Sequence, residues 1–224
     1  TPLVISVHSV VSWDFALGIV PGWHTTIFAP YFVAGAIHSG LAMVLTLMIP
    51  LRKLFKYEDI ITIEVLQNVA KTIVLTGLIV GLAYGTEYFI AWYSHNTIEM
   101  EQFRWRALGD YRWGFYFMVL CNTLIPLLFV FKKVRTTIAT LFIISLIVNF
   151  GMWWERFVII VGGVAHGFAP HAWGLYTPTL IEFGIMLGAF CLFFFLFVLF
   201  ARHLPSVSMT EMKETLAEGA GHVA

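Results

Sequence analysis

Five stretches of this chain are each about twenty residues long and almost wholly apolar, the length a helix needs to cross the hydrocarbon of a bilayer. In hydrocarbon every backbone N–H and C=O has to be satisfied within the segment, so stretches of this kind are read as helices. They run from Pro30 to about Leu51, about Asn68 to Tyr93, Trp113 to Phe131, Thr136 to Val161, and Pro178 to Ala201. Thr1 to about Gly18 reads as the end of a further helix, stopped by Pro21-Gly22, and the chain as part of a longer polypeptide. Composition agrees: at 59% hydrophobic and 12% charged, 224 residues cannot furnish the surface of a soluble domain. The expected fold class is an all-α integral membrane protein, a transmembrane helical bundle. Its parts are the end of one helix and an outer loop (1–29), a four-helix bundle (30–161), an outer loop with the last span (162–204) and a polar tail (205–224), helical and acidic at Met209–Glu218.

Basic residues set the expected orientation. Arg52, Lys53 and Lys56 share one short loop, Lys132, Lys133 and Arg135 another, and Arg202 and His203 follow the last span. Alternating spans put all three on one side, which is expected to be cytoplasmic together with the C-terminus. The opposite loops hold most of the tryptophans and histidines, and their Arg104, Arg106 and Arg112 are matched in number by Glu99, Glu101 and Asp110. A net charge of zero argues against nucleic acid as a partner.

Charges inside the spans then carry the functional reading. Arg156 is the most costly, because a guanidinium cannot be neutralised and is penalised in hydrocarbon by about 2.5 to 17 kcal/mol. Counted along its helix it falls near the outer boundary, as do Asp14, Glu87 and Glu182 on theirs. Asp14 facing an arginine of a neighbouring helix becomes a candidate proton acceptor held ionised by that charge. Glu155 and Arg156 are adjacent, about 100° apart around the helix, and are not expected to serve one another directly. Glu87 and Glu182 are read either as relay carboxylates or as structural acceptors. Lys71 and Glu64 lie toward the inner side, where both can snorkel to water. Gly77, Gly81 and Gly85 form a helix-packing face.

Resident redox metals are not expected. His24 and His38 are separated by Pro30, and a second helix offers no partner histidines for haem. His166 and His171 lack a Cys or carboxylate to complete a zinc site. Cys121 and Cys191 are too few for an iron–sulfur cluster. What remains is a bundle with a polar cluster near its outer face, suited to a small amphiphile that exchanges protons, or equally to a proton or ion path.

Two segments carry a resemblance. The run from Val7 through Trp13-Asp14-Phe15 and Pro21-Gly22-Trp23 to Ala36, with Asn149-Phe-Gly-Met-Trp-Trp-Glu-Arg-Phe157, resembles the membrane subunits of the NrfD/polysulfide-reductase family. The likeness extends to about Pro205 and is strongest to the quinol-oxidising membrane subunits of bacterial alternative complex III. It implies a metal-free subunit of a quinol:electron-acceptor oxidoreductase in a bacterial inner membrane, inactive alone, that binds menaquinol near the periplasmic face. Its implied partners are c-type cytochrome subunits, an iron–sulfur-cluster subunit, a second NrfD-like membrane subunit, small membrane subunits and lipid. Haem and clusters would belong to those partners. Asp14 and Arg156 match the family's pocket-lining positions, which implies catalytic roles for both. His8 and Trp13 join them as pocket candidates, and Glu87, Glu155, Glu182 and Lys71, with Glu64, as proton-relay candidates. The alternative is a quinol-inactive paralogue that anchors the complex and conducts protons. An independent transporter would instead place a broken helix and a site at mid-membrane.

Overall fold

The computed structural model describes residues 2–169, 171 and 173–204, so the acidic piece expected at Met209–Glu218 lies outside the described residues. Every regular element among them is helical. The chain divides into two compact units, one through Leu175 and one from Tyr176.

In the first unit α1 (Pro2–Ala16) precedes the spans α2 (Phe28–Leu54) and α3 (Ile63–Tyr93). A short helix, α4 (Thr97–Leu108), leads into α5 (Arg112–Val119), whose span continues to Val130. After α6 (Lys132–Thr136) the long span α7 (Ile138–Ala165) completes the unit. Buried positions recur every third or fourth residue on α3 (Leu66, Ala70, Ile73, Thr76, Val80, Ala83, Glu87) and on α7 (Leu141, Ile144, Val148, Met152, Glu155, Val158), which gives each one core-facing stripe. The second unit contains the span α8 (Leu180–His203). It starts with a capping box: Glu182 accepts from the Thr179 N–H at 2.6 Å, and the Thr179 hydroxyl accepts from the Glu182 N–H.

Four features depart from expectation. The stretch around Thr97–Leu108, read as loop, is a helix, begun by Asn96, whose side chain accepts from the Ile98 and Glu99 N–H groups. The third span is not one regular helix. Pro126 has no N–H to give, and its ring would clash with the Asn122 carbonyl. The backbone responds with a π turn at Leu120–Leu124, closed by Ile125 N–H to Leu120 O at 2.9 Å, and then a 3₁₀ turn over Pro126–Val130. Third, α7 does not stop near Val161 but runs to Ala165, so Arg156 lies nine residues, about 14 Å, before the end of its helix. Last, the glycine face is shorter than expected. Gly77 touches Asn122, His38 and Pro126, and a Cβ on Gly81 would lie 2.6 Å from Thr123, but Gly85 faces open space.

Two apolar clusters fill the first unit. One, toward the basic loops, contains Leu45, Leu66, Ile73, Phe129, Leu141 and Met152. The other, toward the aromatic loops, contains Phe28, Tyr31, Phe32, Val80, Tyr84, Met118 and Val158. His38, Thr76, Asn122 and Glu155, all buried, fall between them in sequence on all four spans, as a polar layer across the middle of the bundle.

Candidate functional site: a polar layer in the bundle

Glu155 is the centre of this layer and has no exposed surface. The Tyr84 hydroxyl donates to its Oε2, and the Asn122 Nδ2 donates to the same oxygen at 3.1 Å and to the Tyr84 oxygen at 2.9 Å. Its other oxygen faces the Arg156 guanidinium at 3.5 Å. Tyr31 packs edge-on against Tyr84 at 5.7 Å. A buried carboxylate needs such donors, because losing its water costs far more than burial returns.

Local structure explains how the donors arrive. The π turn inserts an extra residue into the helix and swings Cys121 and Asn122 into the core, where they are 1% and 0% exposed. The Asn122 backbone carbonyl, opposite the missing N–H of Pro126, points at α3. There Gly77 leaves room, since an added Cβ would stand 3.1 Å from both that oxygen and the His38 ring. His38 is wholly buried, with Nδ1 2.9 Å from the Thr76 hydroxyl. Further toward the basic end, Asn149 donates to Thr46, whose hydroxyl is 2.9 Å from that of Ser145.

Arg156 occupies the edge of the layer. Its guanidinium carbon sits 4.2 Å over the Phe32 ring, and Gly35 opposite is close enough that a Cβ would be 3.5 Å from Nη2. Its side chain is 33% exposed, with Nη2 facing the buried carboxylate and Nη1 buried without a hydrogen-bond partner. The expected separation of Glu155 and Arg156 therefore does not hold: the 100° offset is bridged by the length of the arginine.

The other predicted residues lie elsewhere. Asp14 is exposed on α1 and makes no ion pair with Arg156 among the described residues. Its neighbour Phe15 is what reaches the region, packing 5.2 Å from Phe32. Trp13 is 51% exposed and His8 bonds within its own helix to Val4 O. Lys71 is exposed and bonded to Asn68, and Glu64 is exposed in the first turn of α3. Glu182 is occupied by its capping box in the second unit. Glu87, one turn beyond Tyr84 on α3, is 5% exposed. Arg106, expected among matched loop charges, is instead 4% exposed and pairs with none of Glu99, Glu101 and Asp110 among the described residues.

The aromatic end is closed by the Pro21-Gly22-Trp23 turn and α4. The Trp23 indole donates to Ile159 O at 2.9 Å, in space left by Gly163, and Gln102 donates to Gly162 O at 3.0 Å. Trp23→Phe keeps an aromatic ring but removes the indole N–H and the five-membered ring that packs on Gly163. A cost of at least about 1 kcal/mol is expected, read as a fall of about 2–4 °C or more in the melting midpoint of the purified protein. Beside this cover a cleft of about 690 Å³ is lined by Glu101, Arg104, Trp105, His166 and Trp173 among others. There His166 is sandwiched between Trp105 at 4.4 Å and Trp173 at 3.7 Å, and burial pushes its imidazole below the ordinary value.

Sequence reading passed over Tyr31, Tyr84 and Asn122. Asn122 carried a signal: an amide in an apolar span four residues before a proline. No group of three or more His, Cys, Asp or Glu side chains among the described residues is placed to hold a metal ion.

A family model described as "Polysulphide reductase, NrfD" matches residues 1–167. The chain is 25% identical over 236 aligned positions to a putative dimethyl sulfoxide reductase membrane subunit of Halobacterium salinarum, covering 91% of this chain and 51% of that protein. It thus spans about half the length of the curated relative it matches.

Proposed function

Since this chain belongs to the NrfD polysulphide-reductase family, we propose that it is a membrane subunit of a quinol-oxidising respiratory complex of the alternative complex III type. Menaquinol would deliver two electrons to an iron–sulfur cluster in a peripheral subunit, and from there to c-type haems of partner subunits. The two protons would be left to carboxylates of this subunit and its neighbours. The basic loops then face the cytoplasm and the aromatic loops the periplasm, in keeping with the excess of Lys and Arg in the former.

The observation that carries this reading is the Arg156–Glu155 pair. Arg156 is held over Phe32 at the bundle edge, partly exposed, where a donor can meet an oxygen of an amphiphile arriving from lipid. Glu155 behind it is buried, is bonded to a tyrosine hydroxyl and an amide, and offers an acceptor for the proton. Menaquinol presents this pair of demands, a polarised oxygen and a proton to lose. Asp14 keeps a role as the outer proton acceptor through its place beside Phe15, which packs on Phe32.

Arg156→Leu and Asp14→Asn, each assembled into the complex, are expected to lower quinol-dependent reduction of the partner haems by ~10-fold or more, equivalent to about 1.4 kcal/mol on the barrier. Turnover unchanged in both variants rejects the reading.

One observation favours a second reading. The polar groups run inward through Asn122, His38 and Thr76, while Asp14 stands apart on α1. A quinol-inactive anchor that conducts protons would look like this. The position of the partner cluster separates the two: beyond tunnelling reach of the Asp14–Arg156 region, the anchor reading stands.

A further inference from the structure

The two oxygens of Glu155 are not equivalent. Oε2 accepts from the Tyr84 hydroxyl and from Asn122 Nδ2 at 3.1 Å. The same amide nitrogen also donates to the Tyr84 oxygen at 2.9 Å, so Tyr84, Asn122 and Oε2 close a triangle in which every polar hydrogen is used. A carboxylate oxygen has about two lone-pair sites, and at Oε2 both are taken. Oε1 is buried as well, but no hydrogen bond reaches it. It has only the Arg156 guanidinium, at an ion-pair distance of 3.5 Å.

A proton arriving at this carboxylate therefore has one place to go. At Oε2 it would have to displace a donor and leave that donor buried and unmatched. At Oε1 it meets open lone pairs, on the side of the carboxylate that faces Arg156 and, through it, Phe32. Asn122 fixes this asymmetry, because its amide is clamped from both ends. The nitrogen is held by Tyr84 and Glu155, and the oxygen lies against α7 at Gly151, where an added Cβ would overlap it. Turned over, the amide would set its oxygen against Oε2, acceptor against acceptor. Gly151 is one helical turn before Glu155, so one face of α7 supplies both the wall behind the amide and the carboxylate in front of it.

We propose that Oε1 is the atom of Glu155 that takes up the proton, and that Asn122 is the positioning residue that, with Tyr84, holds Oε2 and keeps Oε1 turned toward Arg156. This inference rests on the proton-accepting role of Glu155 in the proposed function, and adds which atom accepts and what aims it. In the step the O–H bond of the hydroxyl donor breaks and a new one forms at Oε1, leaving the carboxyl group neutral. The electron pair of the broken bond stays with the donor oxygen. The double bond of the neutral group is then at Oε2, still accepting from Tyr84 and Asn122.

The position of that double bond is what the test reads. Infrared difference spectra of the whole purified assembly, with and without menaquinol, are expected to contain the C=O stretch of protonated Glu155, identified by its loss in Glu155→Gln. Hydrogen bonds to a carbonyl oxygen lower its stretching frequency. The band is therefore expected to move to higher frequency in Asn122→Leu and in Tyr84→Phe, a shift that a merely structural role of Asn122 would not give. Asn122→Leu is also expected to lower kcat by ~10-fold or more, as a misaimed acceptor does. KM stays unchanged, because Asn122 is wholly buried and does not reach the ligand. Tyr84→Phe removes only a hydroxyl, so it decides the matter even if Asn122→Leu fails to assemble. A band left in place in either variant overturns the inference, and in both it puts the proton on Oε2. A parental kcat in Asn122→Leu removes its positioning role. In these cases the Glu155 band remains and the proposed function stands. If menaquinol raises no Glu155-dependent band at all, both fall.

Discussion

Glu155→Gln is expected to cut quinol-dependent turnover by roughly two to four orders of magnitude, the range for removal of a positioned acid–base group, while the complex still assembles. The side chain is wholly enclosed and accepts on one oxygen from two donors, the Tyr84 hydroxyl and Asn122 Nδ2 at 3.1 Å, while its other oxygen has only the ion-pair contact with Arg156 Nη2 at 3.5 Å. Glutamine has the same volume, and its oxygen can go on accepting from Tyr84 and Asn122. It cannot take up and return a proton, and its amide nitrogen would face the guanidinium, donor against donor. Arg156 escapes that conflict because it is one-third exposed and can swing its head to the bundle surface. The structural cost is therefore held to about 1–3 kcal/mol, that of an unmatched polar contact. A Glu155→Gln/Arg156→Gln double variant, measured against Arg156→Gln alone, separates the two explanations. If the loss came from a stranded guanidinium, the double variant turns over as fast as Arg156→Gln; if it came from lost proton exchange, it is slower still by a large factor. A single variant that works within about threefold of the parent removes Glu155 from the chemistry.

The spans were legible in the sequence because the bilayer leaves so few choices. Expected and observed limits agree to within a few residues for α2, α7 and α8, and α3 starts five residues earlier than expected, at Ile63, behind the N-cap Thr62. Family membership was legible too, through the Trp-Asp-Phe and Trp-Trp-Glu-Arg-Phe segments. The polar layer was legible only in part. Glu155 and Arg156 stood out as charges in an apolar helix, but their pairing did not, since angular spacing ignores how far an arginine reaches. Helix α4 was hidden because hydropathy alone does not mark a short polar helix. Its cap, Asn96, and the acid at Glu99 were signals that a capping search would have found. Arg106 was misplaced for the same reason, since a residue assigned to a loop has no inward face. The arrival of Asn122 at Glu155 depends on a π turn, which is a compromise between Pro126 and the packing of four helices. Residue spacing on a regular helix does not contain it.

The same π turn makes Gly151→Ala the substitution expected to destabilise the bundle most. At this point α7 lies so close to the turn that a Cβ would overlap both the Asn122 side chain and the Cβ of Cys121. Neither neighbour can yield cheaply. The Cys121 Cβ is fixed to the backbone, so relief there means moving the turn itself. Asn122 can retreat only by giving up its bonds to Tyr84 and Glu155, leaving buried donors and acceptors unmatched. Overpacking of this kind costs about 1–3 kcal/mol and the stranded polar groups about 1–3 kcal/mol more. Intrinsic helix preference opposes this with at most about 1 kcal/mol in favour of alanine. Gly162→Ala on the same helix has that preference without the overlap, because nothing lies within 4 Å of its Cβ. The melting midpoint of the purified protein is therefore expected to fall for Gly151→Ala, by about 2–4 °C per kcal/mol lost, and to hold or rise for Gly162→Ala. Turnover should fall with the first, because the shift that accommodates the methyl group carries Asn122 away from the carboxylate. Equal midpoints would mean that α7 and the turn are not in close contact, and Glu155 would then have to find its donors in some other way.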